Sequence, residues 1–313
     1  MPTTIVFGPT GNIGAAAALS LPSFTTSPII LAMRDTSKSI PSLSPSFESS
    51  HPYTRIRADL TDPASLTSAV ASTGATHALL YLVPSQDNMR SALEALKEAG
   101  IKFIVFISSS SVRDDPQNVK PHDLISYMHA QVELNLEELF GPEGYVALRP
   151  GFFNTNASSW WKAGIQKGQV KLFAGGLTVD WISPSDIGRV AAAVLAGKKT
   201  GKLVGLLGPE NLSFRDGLQV IAKVLGKEVE VVDVDAEEAV KNFLEIGLPE
   251  FVAKHLVESF GEGEKKWGDL GARAFVSGEE SYETAVGNVE KLTGKKSLRL
   301  EEWVEENKGL FSQ

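Results

Sequence analysis

A short apolar run, Thr3 to Phe7, opens the chain, and runs of the same kind return at Pro28 to Met33, Thr54 to Ala58, Ala78 to Val83, Phe103 to Ser108 and Tyr145 to Arg149. Each is followed by a stretch that can form a helix or by a loop. Near-continuous apolar strands alternating with helical segments predict a parallel sheet covered on both faces, a doubly wound α/β fold. The segment Asp35 to Pro52 breaks the rhythm: rich in Ser and Pro and without a clear period, it predicts an irregular surface loop. Beyond Pro150 the pattern is mixed. Strands are expected at Thr178 to Ile182, Lys202 to Leu207 and Val229 to Val234, helices at Pro184 to Leu195 and Ser213 to Leu225, and mainly helix from Asp235 on. The expected organisation is a first domain over residues 1–153 and a smaller, mixed α/β but mainly helical domain over 154–313, with 178–208 returning to the sheet of the first. No repeat of solenoid period is present.

Composition then narrows the chemistry. The 313 residues are 42% hydrophobic and 22% charged, ordinary for a soluble protein with a sizeable core. A formal net charge of -8 gives no general attraction to nucleic acid or to an anionic membrane. With no cysteine there is no disulfide, thiolate ligand or cysteine nucleophile. The N-terminus has no signal or transit pattern, and no apolar run approaches the roughly 18 residues of a membrane span, so a cytoplasmic protein is expected. The histidines, His51, His77, His122, His129 and His255, lack ligand spacing, and no metal site is expected. The absence of a G-x-S-x-G elbow argues against a serine hydrolase.

The first strand runs into GPTGNIG, with Gly8, Gly11 and Gly14 three apart, and then into an Ala-rich helix. This is the context of a dinucleotide loop: Gly8 for the tight turn, Gly11 for close approach of a pyrophosphate, Gly14 for packing of the helix on the sheet. Backbone N–H groups of Thr10 to Ile13 then face the phosphates at the positive end of the helix. At the end of the second strand, where NAD-binding chains carry an acid for the ribose 2′-hydroxyl, stands Arg34, with Lys38 nearby. A guanidinium there suits a 2′-phosphate and favours NADP(H), while Asp35 keeps the NAD(H) alternative open. Asp59 and Leu60 are placed to flank an adenine, although Thr61 or Asp62 before Pro63 also reads as a helix cap. Val83, Pro84 and Ser85 end the fourth strand, over the crevice where ligands sit in open sheets.

The chain resembles the NmrA-like branch of the atypical short-chain dehydrogenases/reductases. The resemblance rests on GPTGNIG, FISSSS, HAQVELNLEEL, ALRPGFFNTN, DWISPSDIGRVAAAVL, LLGPENLSFRDGLQVIAKVLGKEVEVVDV and LTGKKSLRLEEWVEEN, in that order over nearly the whole chain. It implies a Rossmann domain, a smaller substrate domain and an active site in the cleft between them. It places Gly8, Thr10, Gly11, Asn12, Ile13, Arg34 and Asp59 on the dinucleotide, and Val83, Ser85 and the turn Pro150-Gly151-Phe152 near the nicotinamide.

The catalytic pattern of the better-known short-chain dehydrogenases is incomplete. They use a Ser with Tyr-x-x-x-Lys, whose Lys lowers the phenol pKa and grips the nicotinamide ribose. Here Tyr127 is followed four residues on by Gln131, which can hydrogen-bond a ribose but carries no charge. Ser110 remains a candidate donor to a carbonyl or imine. His129 falls on a different side of the helix from Tyr127, and a lone His is more often structural. Three readings stay open. The first is an NADPH-dependent reductase of an imine or iminium, enone or quinone. The second is a redox-neutral, cyclase-type catalyst that retains NADP(H) and uses Arg113, Asp114, Asp115 or Asp180. The third is a redox-sensing regulator. Trp160, Trp161 and Trp181 suit a bulky, flat, hydrophobic substrate, with core packing as the alternative. Together with the family's frequent place in specialised metabolism, they put the reductase first.

Overall fold

The computed structural model describes residues 2–113, 115–267 and 280–312. In chain order the first elements are β1 (Thr4–Phe7), α1 (Asn12–Ser20), β2 (Ile29–Met33), α2 (Pro45–Ser49), β3 (Tyr53–Arg57) and α3 (Pro63–Thr73). There follow β4 (His77–Tyr81), α4 (Arg90–Ala99), β5 (Phe103–Ile107), α5 (Leu124–Phe140), β6 (Tyr145–Pro150), α6 (Asn154–Trp160), α7 (Lys162–Lys167), β7 (Gln169–Leu172) and β8 (Thr178–Val179). The remainder comprises α8 (Pro184–Leu195), β9 (Leu203–Leu206), β10 (Leu212–Ser213), α9 (Phe214–Val224), β11 (Glu230–Asp233), α10 (Ala236–Glu245), α11 (Glu250–Trp267), α12 (Tyr282–Thr293) and α13 (Leu300–Glu306). The chain divides into two compact units. One is Met1–Pro150 with Pro184–Leu206 and Ser277–Lys296; the other is Gly151–Ser183 with Leu207–Val276 and Ser297–Gln313.

The first unit is a seven-stranded, wholly parallel sheet in the order β3-β2-β1-β4-β5-β6-β9. It is a Rossmann-like α/β fold, as the apolar strand pattern predicts. β1 and β2 are buried along their whole length because helices cover both faces, which is why they read as unbroken apolar runs. On one face Phe7, Leu66, Leu80, Leu93, Phe106 and Leu136 share a single core. On the same unit α1 lies against α8 at very short range: a Cβ added to Gly188 would stand 2.6 Å from the Cβ of Ala16. The Ala run of α1 is therefore a packing requirement. The strand order turns around between β1 and β4, so the carboxyl ends of these two strands form the topological switch point.

The Ser- and Pro-rich segment is more ordered than expected of an irregular loop. Ile40 and Leu43 are only 3% and 5% exposed and pair through an isolated bridge. Ser44 caps α2 by accepting from the Phe47 N–H, and Arg55 of β3 grips both Glu48 carboxylate oxygens at 2.6 and 2.7 Å. Two apolar anchors and one bidentate ion pair suffice to seat a stretch whose serines hide its pattern.

The second unit holds two two-stranded sheets, β8 with β10 antiparallel and β7 with β11 parallel, surrounded by helices. Its core is aromatic, with Trp161, Trp181, Phe214, Trp303 and Phe311 buried together. Of the segment 178–208, Thr178–Val179 pairs with β10 and Leu203–Leu206 pairs with β6. Strand β7 was not foreseen, because four residues alternating exposed and buried carry too short a signal. Among the described residues no helix is long and apolar enough to cross a membrane.

Candidate functional site

The three glycines of the loop after β1 differ in what constrains them. Gly8 takes φ +68, and a Cβ there would stand 2.5 Å from Cε1 of Tyr81. A Cβ on Gly14 would collide with the carbonyl of Gly8, so the loop can fold back on α1 only with glycine at this position. Gly11 meets neither limit: its φ is -89, and an added Cβ would find only the Gly8 oxygen at 3.5 Å. Nothing among the described residues demands glycine there, and the open space suits a group that must come close from outside. Gly11 caps α1 with no side-chain hydrogen bond and no acid stands in its first turn, so the positive helix end keeps its charge. Thr10, Gly11 and Asn12 are exposed and Ile13 is half-buried.

Arg34, at the end of β2, is exposed, and its charge acts on both Asp59 and Tyr81. Asp35 points its carboxylate into its own turn, accepting from the Ser37 N–H at 3.0 Å and hydroxyl at 2.6 Å, and these bonds hold its pKa below the usual range. Lys38 is exposed. Asp59 accepts from the N–H and hydroxyl of Thr61, both at 2.9 Å, which lowers its pKa, with Arg34 adding to the effect. Asp62 accepts from Ser65 N and caps α3 ahead of Pro63. Leu60 is buried in the core of the first unit. Tyr81 is the member of this group that sequence reasoning missed. It ends β4 with its ring over Gly8 and 43% exposed, and partial burial raises its phenol pKa. Only the parallel pairing of β1 with β4 brings it there.

Farther along the same strand ends, Val83 is half-buried and Ser85 is exposed. The Ser85 hydroxyl accepts from Met89 N at 2.7 Å and donates to Asp87 at 2.9 Å, bracing a turn in which Asn88 and Met89 take positive φ. In the serine run Ser108 donates to Glu133 at 2.5 Å, and Ser109 pairs with Ser111 at 2.8 Å. Ser110 is half-buried, its N–H bonds the Pro150 carbonyl at 2.9 Å, and its hydroxyl has no partner among the described residues. Tyr127 and Gln131 share a face of α5 and are both half-buried. His129 packs beside Phe106 with Nδ1 buried and unbonded, and burial pushes its pKa down to about 4. It is a neutral imidazole at physiological pH. Asp115 caps a short turn through Gln117 N; Asp114 lies outside the described residues.

In the second unit Asp180 is fully buried. Its Oδ1 accepts from Phe152 N and its Oδ2 from Gly208 N, both at 3.0 Å, and burial raises its pKa to about 6. A Cβ on Gly151 would collide with this carboxylate, so the glycine of the Pro150-Gly151-Phe152 turn is explained by Asp180. Trp181 is wholly buried, takes φ +47, and spends its indole N–H on the Leu212 carbonyl at 3.0 Å. It is core. Phe152 stands edge-on to Trp160 and Trp181, at 5.6 and 5.1 Å between ring centroids. Trp160 and Trp161 line a cavity closed by Phe173, Phe214, Phe243 and Phe260, with Lys171 and Asn242 as polar members.

The chain has relatives among known proteins. The NmrA-like family model matches residues 2–303. The nitrogen metabolite regulation-like protein bik4 of Gibberella fujikuroi is 39% identical over 321 residues, covering 96% of this chain and 94% of that protein. The NAD(P)H azoreductase of Xenophilus azovorans is 27% identical over 206 residues, covering 64% of this chain and 69% of that one. Among solved structures, the Citrobacter sp. triphenylmethane reductase complexed with NADP(H) superposes with a TM-score of 0.71 at 20% identity, over 98% of this chain and 99% of that one. With a glycine loop at the switch point of a parallel sheet and a family match that runs almost end to end, this chain belongs to the NmrA-like family.

Proposed function

We propose that this protein binds NADP(H) and reduces a hydrophobic, aromatic or polycyclic small molecule of the imine, enone or quinone type in specialised metabolism. The observation that carries the cofactor reading is the state of the β2 terminus. Arg34 is exposed beside Asp59 and Tyr81, while Asp35, the acid that would serve a ribose 2′-hydroxyl, is occupied by Ser37. A guanidinium in that place offers a 2′-phosphate a paired, charge-assisted contact. The uncapped end of α1 and the space at Gly11 suit the pyrophosphate.

Bound NADPH supplies the hydride. The chain's own part is to position it, to hold the substrate ring and to bond the developing negative charge. Ser110 carries the free hydroxyl of the serine run and donates to the substrate oxygen or nitrogen. Gln131 would hold the ribose by hydrogen bonding where the better-known enzymes carry a lysine, and the final proton comes from water. Such a site suits acceptors already polarised, for which orientation is worth roughly 7–11 kcal/mol of barrier. The aromatic cavity lined by Trp160 and Trp161 supports an apolar, ring-bearing substrate. Two similar proteins are named an azoreductase and a triphenylmethane reductase, which supports a reductase reading.

The test is NADPH oxidation with a panel of naphthoquinones, cyclic imines and triarylmethane dyes, following both NADPH absorbance and product. Turnover of at least one class with NADPH consumed one for one supports the reading; product without NADPH loss points to the redox-neutral alternative. A regulator is the second reading, favoured by Gln131 in place of the lysine and by the regulation-like name of the 39% identical relative. It predicts NADP(H) binding without turnover and a protein partner whose affinity differs between NADP+ and NADPH.

A further inference from the structure

The chain passes between its two units five times, and three of these passages come after Pro150, after Ser183 and after Leu206. Within the second unit, the residues next to these three passages meet at Asp180. Its carboxylate takes Phe152 N, two residues past the first passage, and Gly208 N, two residues past the third. Beside the second passage, Ile182 N donates to the Phe152 carbonyl at 2.8 Å and Asn154 N donates to the Ile182 carbonyl at 2.9 Å. The node is tight enough to dictate its neighbours. A side chain at Gly151 would strike the Asp180 carboxylate, and one at Gly208 would strike the carbonyls of Asp180 and Trp181. One at Gly217 would strike the Trp181 ring, which the left-handed backbone of Trp181 turns inward. A buried carboxylate with two backbone donors and no cationic partner among its bonds is built to hold chain segments in register.

We propose that Asp180 is a positioning residue, a clasp that sets the Pro150-Gly151-Phe152 turn, and through it the nicotinamide end of the cofactor. The proposal rests on the NADP(H) reading above. Pro150 belongs to β6 and bonds Ser110 N through its carbonyl, so the turn starts from the strand that also carries the serine run. Phe152, two residues on, presents its N–H to Asp180 and its ring to Trp160. Asp180 acts from behind this turn, by fixing where the Phe152 amide and ring stand. Its role is therefore not that of an acid in the reaction: both oxygens are engaged by backbone donors.

The test uses Asp180→Asn, in which one backbone N–H loses its acceptor and faces an amide donor. NADPH is compared with adenosine 2′,5′-bisphosphate, a fragment that carries the 2′-phosphate and lacks the nicotinamide. Backbone amide exchange is followed at Phe152 and Gly208. The expected result is a loss of about tenfold in NADPH affinity, fragment affinity within about twofold, and protection lost at those two amides while the rest of the second unit keeps its own. Gly151→Ala, which forces the clasp open from the other side, should give the same split. Combined with Asp180→Ala it should add little beyond Asp180→Ala alone, because the clash partner is gone. Unchanged NADPH affinity with both amides still protected overturns the proposal. Equal loss of NADPH and fragment overturns it too, since that is general destabilisation. If the wild-type protein binds neither ligand, the cofactor reading falls by itself. Amide exchange then decides the clasp: selective loss of protection at Phe152 and Gly208 in Asp180→Asn upholds it, and retained protection refutes it.

Discussion

Glu133 of α5 and Arg149 of β6 form a buried two-point ion pair, with Nε to Oε1 at 3.0 Å and Nη2 to Oε2 at 2.6 Å. The remaining capacity of both groups goes to one loop. Ser108 donates its hydroxyl to Glu133, and Arg149 donates Nη1 to the Val112 carbonyl at 2.8 Å. A single pair thus holds both ends of the serine run that carries Ser110. Removing either partner leaves a buried charge uncompensated, at about 3–5 kcal/mol. Arg149→Ala and Glu133→Ala should each lower the urea midpoint by an amount in that range, and Arg149→Met with Glu133→Leu should cost less than the two single losses summed.

The contrast among the loop glycines separates fold from binding. Gly14→Ala drives a methyl into the Gly8 carbonyl and should destabilise by about 1–3 kcal/mol. Gly11→Ala has room and an ordinary φ, so its stability should stay within about 0.5 kcal/mol of wild type. Dinucleotide affinity should nonetheless fall for Gly11→Ala. Thermal unfolding and NADPH titration on the same samples check both halves, and undiminished NADPH binding in Gly11→Ala would remove the phosphates from this loop.

Arg34→Ala should abolish discrimination between NADPH and NADH. Hydrogen bonds to a charged group contribute about 1.5–3 kcal/mol, so NADPH should bind about 10- to 100-fold more weakly and NADH about as before. Asp35→Ala should leave NADH affinity unchanged, because its carboxylate already serves Ser37. Equal affinities for the two cofactors in the wild type would contradict the assignment.

Two groups whose pKa values burial shifts, Asp180 and His129, give opposite pH dependences over the same range. Asp180 has its folded pKa raised from 3.8 to about 6, so the native state holds that proton more tightly than the unfolded chain, and its contribution to stability is lost as pH rises from about 4 to about 6. His129 has its pKa lowered from 6.5 to about 4, so its contribution is present above about 6.5 and lost as pH falls toward 4. At 1.36 kcal/mol per unit each is worth about 3 kcal/mol at most, and the two nearly cancel. Urea unfolding between pH 4 and 7 should therefore be flat in these terms for the wild type. Stability should rise with pH relative to it in Asp180→Asn and fall with pH relative to it in His129→Phe.

The six strands before Pro150 were legible within one or two residues, because burial on both faces writes most of them as apolar runs, β3 being the half-buried exception. Helix α8 was legible to the residue, with Pro184 opening it. The Arg34 position followed from its distance to the loop. The segment 35–52 misled, since its two anchors, Ile40 and Leu43, are outnumbered by serines that cap and turn. Tyr81, Glu133 and Arg149 went unnoticed as site residues, for each matters through a partner on another strand or helix.

By itself, the sequence determined the doubly wound sheet, the glycine spacing after β1 and the glutamine four residues after Tyr127. Those are local matters of period, glycine spacing and one residue's identity four positions on. Only the tertiary structure decided that Asp35 is occupied, that Tyr81 stands over Gly8, and that Trp181 is core. It alone turned Asp180 from a candidate acid into a clasp between Phe152 and Gly208. The physical reason is that a carboxylate's role is set by which donors reach it, and these come from residues 28 positions away on either side.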